Sequence, residues 1–490
     1  MRVFKKAFTA IMAITLLFSM GGLTACKQDD TALTAYEIAV KNGFVGTEKE
    51  WLASLQGEKG EDGKDFNLWE IYEESNYAGT FVDFLKSLGL EFDLQEDNDT
   101  FTLAKNVSSV VSICCGFQKT KQVSTGFWGS PTKTATEVSG SEGSGVIWSL
   151  EDNGDTASAY IVTNYHVVYQ NSAHNDTANG ISDYIYVYPY GAREGFVMGD
   201  NDGDGYMDEG GKMGDFSGDG IKATFVGGAM DYDVAVLRVE DSAYLKQAEV
   251  SAVRLGCSDT AILGEKSYVI GNSNGQGISI TSGVLSVLSE NIYVASPDGQ
   301  NRSLGFRVMR TDAAINHGNS GGALFDAKGR LIGITNAKSG EDDVDNMGYA
   351  LPVDRVKAVV DNILYHATPV QKGYVRLARL GIVSVLESST SYLTEEGNIR
   401  IKEEFRITQV LDDCIASAST QADKCLKVDD VVVSGTLNGK TVVFEQRYQF
   451  QEQLLDVRKG DTVTYQVKRD NSVVEVQLTF DKDEYFVSYM

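Results

Sequence analysis

Between Phe101 and Leu364 the chain repeats one pattern, short runs rich in β-branched residues broken by Gly and Asn turns. The runs are Val107–Ile113, Gly145–Trp148, Ala159–Thr163, Tyr184–Tyr188, Val234–Val239, Lys266–Ile270 and Leu331–Ile334. β-Branched side chains suit a pleated, half-buried surface, and closely spaced strands with turn residues between them fold as a barrel or sandwich. The Ser/Thr/Gly-rich stretch 119–144 reads as a long exposed loop between the first strands. A helix is expected near Val353–Leu364, and a module of different pattern follows it.

At 490 residues the chain exceeds a single hydrophobic core, and its size predicts roughly three or four domains. Five prolines exclude long Pro-rich linkers. A net charge of −26 repels phosphate backbones, so nucleic acid is not expected as a partner. Arg2, Lys5 and Lys6 precede an apolar stretch from Ala7 to Met20 that is short for a membrane span, which is the pattern of a signal peptide. It closes on Leu23-Thr24-Ala25-Cys26. That ending resembles a bacterial lipobox, which implies cleavage before Cys26 and a lipid on its thiol, anchoring the protein outside the cytoplasm to the cell membrane. Five further cysteines, at 114, 115, 257, 414 and 425, show no CxxC or metal-ligand spacing. Cys414 and Cys425 are near enough in sequence to pair, and solitary thiols are the alternative.

The expected organisation is a signal peptide at 1–25, a repeat and spacer region at 26–98, a barrel domain at 99–368 and a final domain at 369–490. Within 26–98, Tyr36-Glu37-Ile38 matches Trp69-Glu70-Ile71, and Trp51-Leu52 matches Phe84-Leu85, at an offset of 33. Two small helical units follow from this, with Thr47 and Thr80 as caps. Between them Gly57, Gly60 and Gly63 begin three collagen-like triplets, too short for a triple helix and better read as a spacer.

Three segments each put a different catalytic residue type beside a strand end. Thr163-Asn164-Tyr165-His166 supplies an imidazole, Asp231-Tyr232-Asp233-Val234 a carboxylate, and Gly318-Asn319-Ser320-Gly321-Gly322 a hydroxyl framed by glycines. A serine hydroxyl needs a base to take its proton as it attacks, and imidazole titrates in the right range. A buried carboxylate fixes the ring tautomer and stabilises the imidazolium. The glycines allow a sharp turn, so that the Gly318 and Ser320 N–H groups converge on a developing oxyanion. The order His, Asp, Ser is that of chymotrypsin-like double barrels. His174, His317 and His366 lack such flanks, and His317 is expected to line the substrate cleft.

The match extends to Gly143-Ser144-Gly145-Val146-Ile147, Gly271-Asn272, Thr281-Ser282-Gly283, Thr311-Asp312-Ala313-Ala314-Ile315-Asn316 and Gly348-Tyr349-Ala350-Leu351-Pro352. Together these resemble the HtrA (Deg) family of serine proteases. The resemblance implies a mainly β protein, a chymotrypsin-like double β-barrel followed by a PDZ domain. It further implies endopeptidase action on unfolded or misassembled proteins without ATP, conformational activation, and a homotrimer. The tail Leu426–Val432, Asn438-Gly439-Lys440 and Lys459–Val463 resembles PDZ domains that take peptide C-termini, with Gln449–Leu455 as the helix flanking the groove and Arg379-Leu380-Gly381-Ile382 as the carboxylate loop. Ala314 and Ile315 are expected at the floor of an uncharged specificity pocket.

The chain departs from the family at His317, where Pro is usual, and in insertions at 119–142 and 194–220. Asn319, being neutral, cannot form the ion pair that activates digestive proteases. In the second insertion Asp200, Asp202, Asp204, Tyr206 and Asp208 reproduce the first nine positions of an EF-hand loop, so weak structural Ca2+ binding is expected. Position twelve is Gly211, which leaves Glu209, Asp215 or Asp219 to complete the shell. No cofactor is expected for catalysis. The competing reading is an inert surface adaptor that binds peptide C-termini, and labelling by a fluorophosphonate separates the two.

Overall fold

The β-branched runs, buried at nearly every position, become two barrels packed side by side, seen in a computed structural model that describes residues 99–124, 132–336, 346–412, 414–417 and 425–489. The signal peptide, Cys26 and the N-terminal repeats lie outside the described residues. A helix, α1 (Asp99–Val107), leads into the first barrel. Its strands are β1 (Val110–Ser124), β2 (Thr132–Asp152), β3 (Ala157–Thr163), β4 (Tyr184–Pro189), the short pair β5 (Phe196–Val197) and β6 (Gly214–Asp215), β7 (Ile221–Lys222), β8 (Thr224–Ala229) and β9 (Val234–Ser242). The single turn α2 (Tyr165–Val168) follows β3, and α3 (Ala243–Gln247) follows β9.

The main sheet runs β7-β4-β1-β2-β3-β9-β8. Its two end strands are consecutive in the chain, joined only by Ala223, whose N–H donates to the Ile185 carbonyl at 2.9 Å. The sheet therefore curls back on itself. Ile113, Ile147, Ile161, Ile185 and Leu237 fill its interior, all fully buried.

The second barrel is closed in the order β10-β11-β12-β15-β14-β13. Its strands are β10 (Lys266–Asn272), β11 (Ile278–Ala295), β12 (Ser303–Thr311), β13 (Ala323–Asp326), β14 (Leu331–Asn336) and β15 (Gly348–Pro352). Helix α4 (Val353–His366) then turns Val356, Val359, Val360 and Ile363 inward, the three-to-four spacing of one helix face. That face packs against β8, β9 and β14 and fastens the two barrels together.

The C-terminal module consists of β16 (Val375–Ala378), β17 (Ile382–Leu393), β18 (Ile399–Val410), β19 (Val431–Leu437), β20 (Lys440–Val443), helix α5 (Arg447–Asp456), β21 (Thr462–Arg469), β22 (Ser472–Thr479) and β23 (Phe486–Tyr489). It has its own core, with Phe405, Phe450, Tyr465 and Phe480 buried together. Asn362 of α4 joins it to the barrels. Its amide donates to the carbonyls of Arg376 and Leu455 at 2.9 Å and accepts the Arg376 N–H at 3.0 Å, which satisfies a side chain that is fully buried.

Several boundaries differ from the sequence expectation. Residues 119–124 and 132–142 form no loop but extend the β1–β2 hairpin in register from Lys119↔Glu137 to Ser124↔Thr132. Thr, Val and Lys alternate here, and cross-strand contacts reward the pairing: Lys121 meets Glu137, and Gln122 donates to Thr134 Oγ1 at 2.9 Å. The first strand begins at Val110 rather than Val107 because α1 occupies the residues before it. Both expected helices are present and slightly longer, and none of the five described cysteines is in a disulfide.

Candidate active site

The site forms where the barrels meet. At the end of β3 the one-turn helix α2 buries Tyr165, Val167 and Val168 and leaves His166 facing the junction, its side chain 33% exposed. Asp233 ends the turn before β9 at φ +50°, a left-handed conformation that a short polar side chain tolerates. Its Oδ2 lies 2.8 Å from His166 Nδ1, and its Oδ1 accepts the His166 backbone N–H at 3.0 Å. Asn336, the last residue of β14, donates to Oδ2 at 2.8 Å, and Asn164 donates to the Asp233 carbonyl at 3.0 Å. The carboxylate is thus held from both barrels. Its contact with Nδ1 puts the ring proton there and leaves the Nε2 lone pair free to take a proton.

Burial pushes the His166 pKa down, but the charge and hydrogen bond of Asp233 outweigh it and the net shift is upward. Catalysis by a neutral imidazole is lost as pH falls through that raised pKa. The acid limb of the kcat/KM profile should therefore have its midpoint above the ordinary histidine value of about 6.5. A midpoint at or below that value contradicts this electrostatic balance.

Ser320 stands on a loop whose glycines have no substitute. Gly318 adopts φ +86° and a Cβ there would sit 2.0 Å from the Asn272 carbonyl oxygen; at Gly321, φ +82°, a Cβ would meet Ser144 O and Thr163 Oγ1, both at 2.2 Å. The His317 carbonyl is turned away from the nucleophile, accepting the Asn274 N–H at 2.7 Å. Among the described residues neither the Gly318 nor the Ser320 N–H donates to any acceptor, so two N–H groups beside the nucleophile are available to an oxyanion. Gly143 lets β2 pass close to both segments, since a Cβ on it would come within 2.6 Å of the Val167 side chain and 3.2 Å of the Ser320 carbonyl oxygen. Ser320 Oγ makes no hydrogen bond among the described residues, and such contacts in unliganded sites commonly tighten only when substrate arrives.

Ser144 has a role that sequence reasoning missed. Fully buried, it accepts the Asn272 N–H at 2.8 Å and donates its hydroxyl to the Gly318 carbonyl at 2.7 Å. Its own N–H donates to the Ser320 carbonyl at 2.8 Å, and its carbonyl accepts from Thr163 Oγ1 at 2.7 Å. One residue of β2 thereby ties the nucleophile loop to β10 and to the strand carrying the base. We expect Ser144→Ala to lower kcat/KM about tenfold or more while leaving His166–Asp233 intact, because the freed Gly318 carbonyl no longer orients its peptide; an unchanged kcat/KM contradicts the positioning role.

The other expected residues are distributed as follows. His317 lines a cleft beside the nucleophile loop. Asn319 is buried, with its N–H on the Asn316 carbonyl at 3.1 Å. Ile315 is buried in the core of the second barrel against Gly348, and Ala314 is exposed with its carbonyl bonded to Thr281 Oγ1 at 2.9 Å. His174 is exposed, and His366 stacks on Tyr374. In the 194–220 insertion the carboxylates of Asp200, Asp202 and Asp204 lie within 4.8 Å of one another. Asp208 is turned onto Asn201, accepting its N–H at 2.8 Å and its side-chain amide at 2.7 Å, and the Tyr206 N–H donates to Asp204 at 2.8 Å. Asp219 is paired with Arg193 at 2.8 Å, and Asp215 Oδ1 caps its own turn through Ser217.

The model of a trypsin-like peptidase domain matches residues 143–334. The chain is 26% identical over 361 residues to the serine protease Do-like HtrA of Bacillus subtilis, covering 73% of this chain and 67% of that one. It is 32% identical over 271 residues to the serine protease Do-like HtrB of the same organism, covering 54% and 55%. With the serine protease Do-like HtrA of Lactococcus lactis it shares 27% identity over 399 residues, 78% of this chain and 85% of the relative. The chain thus carries a trypsin-like peptidase domain, is similar over most of its length to serine proteases of the HtrA type, and is a serine-type endopeptidase.

Proposed function

We propose that the enzyme cleaves unfolded or misassembled extracytoplasmic proteins through a His166–Asp233–Ser320 triad. The observation that carries this reading is the His166 Nδ1–Asp233 Oδ2 contact of 2.8 Å beside a serine flanked by two unoccupied N–H groups. Ser320 Oγ attacks the scissile carbonyl as His166 Nε2 takes its proton. The Gly318 and Ser320 N–H groups hold the oxyanion, and the imidazolium then returns the proton to the departing amine. Water, activated by the same His166, hydrolyses the acyl-enzyme. Degradation of denatured but not native casein by the purified protein tests the reading.

The C-terminal module is read as a PDZ domain that binds peptide C-termini and adjusts the protease. Strand β17 is the open edge of its sheet, able to accept one more strand. A cavity of about 660 Å3 lies between β17 and α5, with Leu380, Ile382, Phe450 and Leu454 among its lining residues. The Leu380 and Gly381 N–H groups carry no backbone hydrogen bond among the described residues, as a carboxylate-binding loop requires. Tyr232 and Arg307 of the barrels line the same cavity, and Arg307 makes a two-pronged ion pair with Glu452 of α5 at 2.8 and 3.1 Å. A peptide entering the groove therefore touches the residue adjoining Asp233. Peptides with a free apolar C-terminus should alter casein hydrolysis, and the same peptides amidated should not; equal effects of both would remove the carboxylate-binding role.

The basic and apolar N-terminal sequence ending at Cys26 supports export and attachment by lipid, which mass spectrometry of the membrane-bound protein tests. Calcium at Asp200, Asp202 and Asp204 is proposed as a weak structural site, and calorimetric titration with the Asp200→Ala/Asp204→Ala variant as control decides it.

A further inference from the structure

A second cavity, of about 740 Å3, opens against the nucleophile loop, and of its lining only Gly318 enters the mechanism above. His317 and Gly318 form one wall, Asn274 and Gly275 another, Gly140–Glu142 of β2 a third. The 194–220 insertion supplies the fourth through Glu194, Phe196 and Met198. Its position relative to the scissile bond follows from the loop itself. The segment Ala313–Ile315 packs towards β15, where Ile315 touches Gly348, whereas His317 and Gly318 pack on Asn272–Asn274. In a chymotrypsin-like double barrel the acyl-side residue lies on the flank of the segment that leads into the nucleophile loop, here Ala313–Ile315, so the cavity, on the other side of Gly318 and beside Glu142, is read as facing the departing half of the substrate.

Apart from the His317 imidazole and two thiols, the ionisable side chains of the lining are carboxylates. Glu142 and Glu194 are both exposed to the cavity and, among the described residues, neither forms an ion pair. Glu142 is seated over Gly275, where an added Cβ would stand 2.1 Å from its Oε2. Glu194 is steadied by Asn272, whose amide is 3.5 Å from Oε1. Burial pushes the Glu194 carboxyl upward and the charge of Glu142 adds to it, against a hydrogen bond from Ser112. Besides His317, the remaining side chains are apolar or carry no carboxylate or amine. Phe196 and Met198 offer a hydrocarbon wall, and the buried Cys114 and Cys115 thiols are pushed far up by desolvation and stay protonated. An aliphatic stem with a cationic head fits such a lining, since the stem covers apolar surface while the head reaches the carboxylates.

We propose that this cavity is a leaving-group-side subsite that selects lysine or arginine within the first two residues after the scissile bond. The selection rests on the reading of Ser320 as nucleophile and concerns only the residues after the scissile bond. The insertion is what builds it, because Glu194, Phe196 and Met198 all come from that segment.

The test is a series of peptides with one fixed acyl side, carrying Lys, norleucine, Ala or Glu at each of the two positions after the cut, with cleavage sites mapped by mass spectrometry. Because exposed ion pairs are individually weak, the expected preference is about five- to tenfold in kcat/KM for Lys over Ala. Norleucine should lie between them and Glu below Ala, and the preference should shrink in 1 M salt, where the screening length falls to about 3 Å. In Glu142→Gln/Glu194→Gln the Lys-to-norleucine ratio should approach one. Equal kcat/KM for Lys, norleucine and Glu in the unmodified enzyme overturns the subsite alone. Absence of both cleavage and fluorophosphonate labelling removes the protease reading, and the subsite with it.

Discussion

Ser320→Ala is expected to reduce hydrolysis of denatured casein by about three to six orders of magnitude, because the triad acts as a unit and nothing else in the site can form the acyl-enzyme. The fold should survive. Ser320 is 6% exposed and its hydroxyl makes no hydrogen bond among the described residues, so removing one oxygen leaves no buried partner unsatisfied. His166→Ala should cost a comparable amount. Thermal unfolding within a few degrees of the parent, measured beside the activity, separates loss of chemistry from loss of structure. Near-parent activity in either folded variant contradicts the assignment.

Asp233→Asn is expected to lower kcat about ten-thousand-fold with little change in structure. Asn has the same shape and also tolerates the φ of +50° at this position. The chemistry differs. Asp233 Oδ2 accepts from Asn336 and from the His166 ring, while Oδ1 accepts the His166 backbone N–H. An amide replaces one of these acceptors by a donor. If its NH2 turns to the ring, Nδ1 becomes the acceptor, the proton moves to Nε2, and the base is lost. The raised pKa of His166 also depends on this carboxylate. Any residual activity should therefore lose its acid limb at lower pH than in the parent, and a variant that keeps both rate and profile contradicts the role given to Asp233.

The three segments read as catalytic each carry their signal locally: a strand ending in an imidazole, a carboxylate before a strand, a serine among glycines. Their meeting was legible only through chain order and resemblance. Ser144 shows what local patterns miss. It sits in a motif that marks a strand, but its function arises from bonds to Asn272 and Gly318, 128 and 174 residues away. The Arg307–Glu452 pair, 145 residues apart, was hidden for the same reason. The hairpin at 119–142 was misread because Ser, Thr and Gly are common in loops, while pairing energy comes from the partner strand. Ile315 was expected at a pocket floor and lies in the barrel core, since an apolar side chain beside a cleft and one beneath it look alike in sequence. In the insertion, the Asp-rich turn drew attention to calcium, whereas Glu194 lies beside the nucleophile loop without any motif to mark it.

Fluorophosphonate labelling of the purified protein, with peptide mapping of the adduct and casein hydrolysis followed in parallel, bears most directly on the central claim. The account predicts a single adduct on Ser320, formed only when His166 is deprotonated, with activity lost in proportion to labelling. Full casein hydrolysis by quantitatively labelled protein, or an adduct on a residue other than Ser320, contradicts it.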